Sequence, residues 1–404
     1  MSSRDDLGQR KLSRRRFLES AGALTAAGLV GIGLGSVTGL PLRPVAEDTV
    51  RPALQSPAAA RTPSPSYRTP PTPWPLPAAS NPEPFSIFWM TDTQFLSESN
   101  PALFKMQTNW IVDNWKAFNG KIVIHTGDIV EHGPVQSEWD SADSAMSILL
   151  KNGIPYTWCA GNHDDSSNGD PSSGWSGSTW TSAFNPSSVK DRVNALGYTK
   201  WVSDYHLGMN TAVSFSANNL NFLVVNIEWN AQPDVLKWVG GLLDDPAYAN
   251  HRVIVAPHAY IDAFGSLNDP KWGSEIGAFL KGLTPMLDSH SSRVFLTLNG
   301  HFATECGYNT PAPINGRNQL MFDRQDCMDR PNDPTGRGVD NVESEPTVSD
   351  GEKVGASTVM VLTLDTVNNR LTARSYDVYT GKWRDNTYDQ YAITLFSIPP
   401  VMMR

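Results

Sequence analysis

Five apolar segments of the chain are each followed at once by an aspartate, an asparagine or a histidine. In chain order these residues are Asp92, Asp128, Asn162, His258 and His301. Carboxylate and amide oxygens mixed with imidazole nitrogens suit Mn, Fe or Zn better than Ca. One such residue after a strand is ordinarily a turn residue or a helix cap. Five of them, in order across about 210 residues, indicate a metal centre assembled from distant parts of the chain.

Two further residues in these segments could move protons. Glu131 lies in the segment 127–133, and His163 lies in the segment 161–164. A histidine in such a segment can act as a general acid. The alternative for His163 is a structural hydrogen bond near the metals. Asp164 is expected to be a loop residue or to support the ligands rather than to be a ligand itself.

The elements that would position these residues follow from the apolar pattern. Residues 85–91, 121–126 and 154–160 are predicted to be buried strands, and the stretches between them have helical apolar spacing. This β-α-β-α-β order is typical of an α/β domain, in which ligands bind at the carboxyl ends of the strands. Further strands are predicted at 212–216, 221–227, 252–256, 293–298, 358–364 and 371–376, and further helices at 233–243 and 274–287.

The later half of the chain is predicted to be partly antiparallel, because residues 365–370 have the composition of a hairpin turn. No G-x-G-x-x-G motif follows a strand and no P-loop is present. The pattern therefore favours a two-sheet α/β sandwich with flanking helices over a Rossmann fold.

The order of these motifs resembles that of the calcineurin-like metallophosphoesterase superfamily. Its motifs are D-x-H, G-D-x-x-[DE], G-N-H-[DE], a lone His and G-H-x-H, and the resemblance covers about residues 85–379. It implies the same two-sheet α/β sandwich and two divalent or trivalent metal ions, with Mn, Fe or Zn expected. It also implies hydrolysis of a phosphate mono- or diester by a metal-activated water.

The resemblance also implies a role for each matching residue. Asp92 would bind the first metal and Asp128 would bridge both. Asn162, His258 and His301 would complete the second metal site. By the same resemblance His163 would be the general acid, with Glu131 as the acidic partner that orients its ring and raises its pKa.

Three positions depart from the family pattern. Gln94 replaces the histidine of D-x-H, and Ala303 replaces the last histidine of G-H-x-H. The first metal would then depend on Asp92, Asp128, Gln94 and waters, would prefer a hard ion and would dissociate easily. Thr304 or Glu305 could substitute as a ligand. His132 stands where many relatives have a phosphate-binding arginine.

These departures keep two other functions open. One is a degenerate, non-catalytic metal-binding surface module of the same fold. The other is a metal-dependent hydrolase of esters other than phosphate esters.

The N-terminal region predicts export. Consecutive arginines and Phe17-Leu18 precede the apolar stretch 21–40, as in a twin-arginine-type signal, which we assign to residues 1–46. The glycines in this stretch make it a poor permanent membrane span. Residues 47–84 are rich in Pro, Ala, Ser and Thr and are predicted to be a linker. Residues 85–404 would form the catalytic domain, exported to the cell envelope or beyond, with membrane contact only through an uncleaved signal.

Charge and cysteine content exclude some classes of protein. The net charge is −9, and residues 1–50 carry seven Lys/Arg and five Asp/Glu, or +2, so the remainder is near −11. An acidic body argues against a nucleic-acid scaffold, which needs a basic surface. Three cysteines are too few for a disulfide-built fold. A Cys306–Cys327 bridge is possible, and Cys159 is expected to be a buried thiol.

Two long polar stretches could shape a substrate pocket. Residues 165–185 carry Trp175, Trp180 and Phe184, which could stack on a base, sugar or aromatic leaving group, or simply fix the loop to the body. Residues 304–355 contain four arginines, among them Arg317. One of these could replace the absent phosphate-binding arginine, although a solvated loop is expected for most of the stretch.

Overall fold

The first predicted strand forms the middle of a sheet that is covered on both faces. In the computed structural model this strand is buried along its length. The structure describes residues 82–165, 182–262, 265, 267, 277–302, 307–309, 313–323, 358–379, 381–384 and 389–397. Phe85 packs edge-on against Phe215 and Phe222 on one face. Phe88 packs against Trp110 on the other. A strand that is apolar at every position is typical of a sheet with both faces covered.

Seven strands form the first sheet. They are β1 (Phe85–Met90), β2 (Gly120–His125), β3 (Tyr156–Trp158), β11 (Thr358–Asp365), β12 (Arg370–Asp377), β13 (Lys382–Trp383) and β14 (Gln390–Thr394). Their order is β13-β12-β11-β1-β2-β3, and β14 also pairs with β12. Strands β1, β2 and β3 run parallel, so their carboxyl ends share one edge of the sheet. The remaining pairs are antiparallel.

Seven further strands form the second sheet. They are β4 (Thr199–Tyr205), β5 (Asn210–Ala217), β6 (Leu220–Ile227), β7 (Arg252–Pro257), β8 (Val294–Asn299), β9 (Gly307–Asn309) and β10 (Asn318–Phe322). Their order is β4-β5-β6-β7-β8-β10-β9. The run β6-β7-β8-β10 is parallel, so this sheet too has a common carboxyl edge.

Six helices accompany the sheets in the described residues. They are α1 (Gln94–Glu98), α2 (Pro101–Asn114), α3 (Gln136–Lys151), α4 (Pro186–Asn194), α5 (Pro233–Asp244) and α6 (Gly277–Ser289). Three of them begin at a proline, which fits the first helical position because the N–H there needs no partner within the helix. None of the helices in the described residues has the length and apolar character to cross a membrane.

The alternation of side chains along β6 divides the core into two layers. Phe222 and Val224 belong to the core between the sheets. Leu223 and Val225 face the other way and join a second apolar cluster that includes Leu283 of α6. Full burial of a side chain such as Leu283 contributes about 1.5–3 kcal/mol. This packing holds the two sheets and the outer helices in fixed relation, and so fixes the strand ends.

The predicted two-sheet α/β sandwich with flanking helices is confirmed. The hairpin predicted at 365–370 is also observed, with Asp365 opposite Arg370 in the β11–β12 pair. One expectation is wrong in part, because the polar stretch 304–355 contains strand β10 and because Arg317 is buried. Residues 1–81, with the predicted signal and most of the predicted linker, lie outside the described residues.

Candidate metal centre

The carboxyl edges of the two sheets meet at one place. The backbone N–H of Asp92, after β1, donates to the carbonyl of Gly127, after β2, at 3.0 Å. Across the sheets, Nδ1 of His258 donates to the carbonyl of Thr126 at 2.8 Å. The second bond joins segments that are 132 residues apart in sequence, as the predicted site requires.

Three of the predicted ligands converge on an atom of a fourth, Nε2 of His258. It lies 3.0 Å from Oδ1 of Asn162, 3.2 Å from Nδ1 of His301 and 3.4 Å from Oδ2 of Asp128. We call these four residues the His258 cluster. Asp128, His258 and His301 alone place three ligand atoms within 4.8 Å of one another. The donor set therefore fits a cation.

The tautomer of His258 makes this convergence informative. Since a carbonyl only accepts, Nδ1 of His258 must carry the hydrogen, and in the neutral ring Nε2 then has a lone pair. That lone pair faces an amide oxygen and a carboxylate oxygen, both of which are acceptors. Without a cation, a proton must take its place. Accordingly, although burial disfavours the charged ring, the carboxylate of Asp128 raises the pKa of His258.

The bridging candidate, Asp128, is held as an anion. Burial alone would raise its pKa, but the charges of His258 and His163 outweigh burial and lower it. Its Oδ1 also accepts the backbone N–H of His163 at 2.9 Å. A carboxylate that stays ionised in a buried position can offset the charge of a bound metal.

Three of the predicted ligands have a backbone conformation that side chains other than glycine rarely adopt. The φ angles of Asp92, Asp128 and His301 are 49°, 49° and 73°. Such conformations cost on the order of 1–3 kcal/mol each and cluster at functional sites. Their neighbours must be small. A Cβ on Gly161 would lie 2.1 Å from Oδ1 of Asp128, and one on Gly300 would lie 2.0 Å from Oδ2 of Asp92.

A one-way chain of hydrogen bonds orients Asp92. The indole N–H of Trp89, which can only donate, is 3.1 Å from Oγ1 of Thr126. The hydroxyl of Thr126 donates to that of Thr91 at 2.5 Å, and Thr91 donates to Oδ2 of Asp92. The other oxygen of Asp92 accepts the backbone N–H of His301 at 3.0 Å. All the side chains that form this series of hydrogen bonds are buried, so the carboxylate of Asp92 is fixed on both oxygens.

Gln94 lies in the interior beside Asp92, at the start of α1, and is 2% exposed. Its carboxamide oxygen has no hydrogen-bond partner among the described residues. An unsatisfied buried acceptor costs about 1–3 kcal/mol, and a metal ion would satisfy it. The residue therefore fits a place in the first metal site.

The two predicted proton-transfer residues lie side by side at the edge of the site. Nδ1 of His163 is 3.1 Å from the carbonyl oxygen of Glu131 and 3.2 Å from its Oε2. Their side chains are 27% and 20% exposed, so solvent and substrate have access. Because Nδ1 faces two acceptors it carries a hydrogen, and the proton to be transferred would sit on Nε2.

Asp164 ties the two motif loops together. Its carboxylate accepts the backbone N–H groups of Ile129 and Val130 at 2.7 and 3.0 Å and that of Gly161 at 2.7 Å. Burial, and then the charge of Asp128, raise its pKa to about 7. These bonds fit the expected role of Asp164 as a support rather than a ligand.

Other supporting residues were not singled out in the sequence. Trp229 follows β6 and lies against His301 with ring centroids 4.2 Å apart. His125 is buried, and burial together with the nearby His258 lowers its pKa to about 3. Its Nδ1 accepts the N–H of Gly127 at 3.2 Å. In the sequence, the only indication of a supporting role for such residues is a position close to a motif. That position did not distinguish them from ordinary core residues.

The residues predicted to shape a pocket divide into three groups. Phe184 is buried and packs edge-on against Trp139 and Trp158, so it fixes its loop to the body. Arg317 is buried and bound to Asp288 at 2.6 Å. The third group, Trp175, Trp180 and the other three arginines of the stretch 304–355, lies outside the described residues. So do the residues of the ligand and disulfide predictions, Ala303, Thr304, Glu305, Cys306 and Cys327. Cys159 is a buried free thiol, as expected.

His132 lies near the site with its side chain 54% exposed. Its Nδ1 is 2.9 Å from Oε1 of the buried Glu138, whose Oε2 accepts the backbone N–H groups of Glu131 and His132 at 2.8 Å each. Glu138 thus fixes the segment that carries the predicted acidic partner.

A comparison with protein families finds a match to the calcineurin-like phosphoesterase family over residues 85–265. This segment contains Asp92, Asp128, Asn162, His163 and His258. The two mixed sheets with flanking helices match the fold of that family.

Among curated proteins, the uncharacterized protein YvnB of Bacillus subtilis (strain 168) is 30% identical over 224 residues. The match covers 54% of this chain but spans only 15% of that protein. Among solved structures, the purple acid phosphatase PPD1 from yellow lupin seeds is 16% identical with a TM-score of 0.43, over 80% of this chain and 55% of that one. GAP50, the anchor in the inner membrane complex of Plasmodium, is 12% identical with a TM-score of 0.42, over 78% and 89%.

Proposed function

We propose that this chain, whose residues 85–265 match the calcineurin-like phosphoesterase family, is a metal-dependent hydrolase of phosphate mono- or diesters. The observation that carries the proposal is the His258 cluster. Three side chains, each from a different strand end, bring nitrogen and oxygen atoms within 3.4 Å of Nε2 of His258, which itself follows a fourth strand. Without a cation, this buried set of nitrogen and oxygen atoms needs a proton on Nε2 of His258, whereas a bound metal ion would satisfy all of them at once.

Metal ions bound at these residues would supply an activated water and would stabilise charge on the phosphoryl oxygens. The chain's own residues would hold and orient them. Asp128 would bridge the two ions, and the His258 cluster would complete the nitrogen-rich half. Asp92 and Gln94 would form the other half, where all the side-chain donors are oxygens.

The two halves would differ in affinity. The His258 cluster offers two imidazoles, whereas the half with Asp92 and Gln94 offers carboxylates and a neutral carboxamide. Soft and borderline ions such as Zn²⁺ prefer imidazole, and hard ions prefer oxygen. We therefore propose that the oxygen-rich half binds Mn²⁺ or another hard ion and is the first to empty.

His163 would donate a proton to the leaving oxygen. Its Nδ1 is fixed by Glu131 at 3.1 and 3.2 Å, and its backbone N–H is fixed by Asp128. The ring is thereby oriented relative to the bridging ligand. Groups in this position commonly contribute about 10²–10⁴-fold to the rate.

Hydrolysis of p-nitrophenyl phosphate and bis(p-nitrophenyl) phosphate by protein loaded with Zn²⁺ or Mn²⁺ tests this function. Asp128→Asn should remove both turnover and bound metal. Asp140→Asn, on the exposed face of α3, is the matched control and should change neither. Retained turnover in Asp128→Asn would exclude the bridging role.

The same assay separates the other two functions. A metal-binding surface module would bind metal and cleave neither ester. The departures at Gln94 and Ala303 are what favour it, whereas the pairing of His163 with Glu131 favours catalysis. A hydrolase of other esters would be insensitive to phosphate and vanadate, which should inhibit a phosphoesterase.

We further propose that the chain is exported by the twin-arginine route. The basis is the arginine pair followed by Phe17-Leu18 and a weakly apolar stretch. This route carries folded proteins, which suits a protein that takes up its metal before export. Replacement of Arg14, Arg15 and Arg16 by lysine should retain the protein inside the cell, as measured by fractionation.

A further inference from the structure

A buried carboxylate lies outside the residues used so far, at the carboxyl end of β6. The side chain of Glu228 has no exposed surface. One of its oxygens is 2.9 Å from Nδ1 of His206, and the other accepts from the amide of Asn210 at 2.7 Å. Nε2 of His206 is 3.0 Å from Oδ2 of Asp234 in the first turn of α5. One imidazole therefore bridges two carboxylates.

This bridge requires a charged ring. Ionised carboxylates only accept, so both ring nitrogens of His206 must carry hydrogens for both bonds to form. A neutral ring would turn one lone pair towards a carboxylate oxygen at about 3 Å. Tyr205 stacks on the His206 ring with centroids 4.6 Å apart, and its hydroxyl donates to Asp234 at 3.1 Å, while the Asn210 amide donates to Glu228. Neither supplies a positive charge.

The turn that carries His206 is strained. His206 and Leu207 both have left-handed backbones, with φ angles of 49° and 55°. Two such residues in succession cost about 1–2 kcal/mol each. The turn persists because other contacts hold it, and Leu207 does not, since it is 73% exposed. The contacts of His206 with Glu228 and Asp234 help to hold it, together with the bond from Met209 to the carbonyl of His206.

His206 and Glu228 are also joined by a closed ring of backbone contacts that runs through Ala160. The N–H of Met209 donates to the carbonyl of His206 at 3.0 Å, and the carbonyl of Met209 accepts from Ala160 at 2.9 Å. The carbonyl of Ala160 accepts from Trp229 at 3.0 Å. Trp229 follows Glu228, which returns the ring to His206.

Both sides of this ring touch the candidate metal centre. Ala160 directly precedes Gly161, Asn162 and His163. Trp229 lies against His301 with ring centroids 4.2 Å apart. Movement of either side would therefore shift predicted metal ligands.

We propose that His206 is a positioning residue whose imidazolium clamps Glu228 to Asp234, closes the ring around Ala160 and so holds the metal centre in place. Loss of the proton from His206 opens the clamp and loosens residues 160–163 and Trp229. The proposal deepens the proposed function, because it rests on these residues serving the metal centre.

The charges of the cluster agree with this geometry. The bond to Glu228, against the effect of burial, raises the pKa of His206. Burial raises the pKa of Glu228 itself. The clamp is therefore closed between the raised pKa of Glu228, above which this carboxylate is ionised, and the raised pKa of His206, and it opens as pH rises through the latter.

Amide hydrogen exchange in the metal-free, full-length protein tests the clamp directly. Protection factors of the Ala160 and Trp229 amides would be followed from about pH 5 to about pH 9, alongside NMR titration of the His206 ring. Protection should fall by about tenfold as the ring loses its proton, the size expected for the loss of one hydrogen bond to a charged group. Protection that stays constant through the titration of His206 would overturn the proposal.

Three variants sharpen the test. Asparagine in His206→Asn tolerates the left-handed backbone, but its side chain cannot reach both carboxylates. Protection of the Ala160 and Trp229 amides should therefore be low at every pH. Glu228→Gln should move the titration of His206, and the step in protection with it, to lower pH. His290→Asn removes another histidine paired with an aspartate, Asp244 at 3.0 Å, and should leave the step unchanged. A step that stays in place in Glu228→Gln would also overturn the proposal.

Failure of the clamp and failure of the proposed function give different results. Protein that shows the step in protection but hydrolyses neither p-nitrophenyl ester contradicts the phosphoesterase and leaves the clamp intact. Protein that hydrolyses an ester but shows no step contradicts the clamp alone.

Discussion

Nε2 of His258 lies 3.2 Å from Nδ1 of His301, although the two residues come from different strand ends. Strands β7 and β8 are parallel neighbours, so the residues that follow them leave the same edge side by side. Two imidazole nitrogens at this distance need a shared proton or a shared cation between them.

Zn²⁺ should stabilise the protein through the His258 cluster. At a free metal concentration about 100 times the dissociation constant, the gain in unfolding free energy should be about 2.7 kcal/mol. Thermal unfolding with and without Zn²⁺ measures it, and EDTA should reverse it. His301→Ala should lose most of the gain, whereas His290→Ala should keep it. An equal gain in His301→Ala would place the bound metal elsewhere.

Gln94 should set the occupancy of the oxygen-rich half. Gln94→His adds an imidazole to a half that has none and should tighten its metal binding, while Gln94→Leu removes the carboxamide oxygen and should weaken it. Metal content per chain after dialysis, measured by atomic emission, should rank the variants in that order. Equal metal content in all three proteins would remove Gln94 from the ligand set.

His163→Gln should slow hydrolysis by about 10²–10⁴-fold and leave the metal content unchanged. The reason is that its side chain contacts Glu131, whereas its hydrogen bond to Asp128 comes from the backbone N–H, which the substitution keeps. Glu131→Gln keeps the ring in place through the carbonyl of residue 131 and should cost less. If His163→Gln lost metal together with activity, the residue would have a structural role instead.

Thr126→Val should destabilise the fold through the chain of bonds that ends at Asp92. Valine keeps the shape but leaves the buried indole N–H of Trp89 without its acceptor, which costs about 1–3 kcal/mol. Thr126→Ser keeps the hydroxyl and is the control. Urea unfolding of the metal-free proteins measures the difference, and equal stability of the two variants would show that the chain of bonds is dispensable.

The His206 clamp should make stability depend on pH. His206 and Glu228 both have a pKa that is raised in the folded state. Their contribution is therefore complete below their unfolded values, about 6.5 and 4.3, and is lost as pH rises through the folded values. Asp234 has a lowered pKa, so its contribution is lost as pH falls through that value. Unfolding free energy should decline on the alkaline side in the native protein and decline less in Glu228→Gln.

The sequence by itself determined the fold class and the residues of the candidate centre. Short apolar runs with helical stretches between them specify alternating strands and helices, and the position of Asp92, Asp128 and His301 after such runs specifies a common edge. This inference works because strand and helix periods are local properties of the chain. It failed for strands such as β4, where polar residues alternate with Trp201 at an edge of the sheet, and for β10, which lies in a polar stretch.

Only the tertiary structure decided how the centre is supported. Nothing in the local pattern links Trp89 to Asp92 through Thr126, or His206 to the metal ligands through Glu228 and Trp229. These links join residues that are distant in sequence, and their meaning depends on burial and on which atoms can donate. Burial and hydrogen-bond direction are set when the two sheets pack, because only then do acceptors without solvent require a proton or a metal ion.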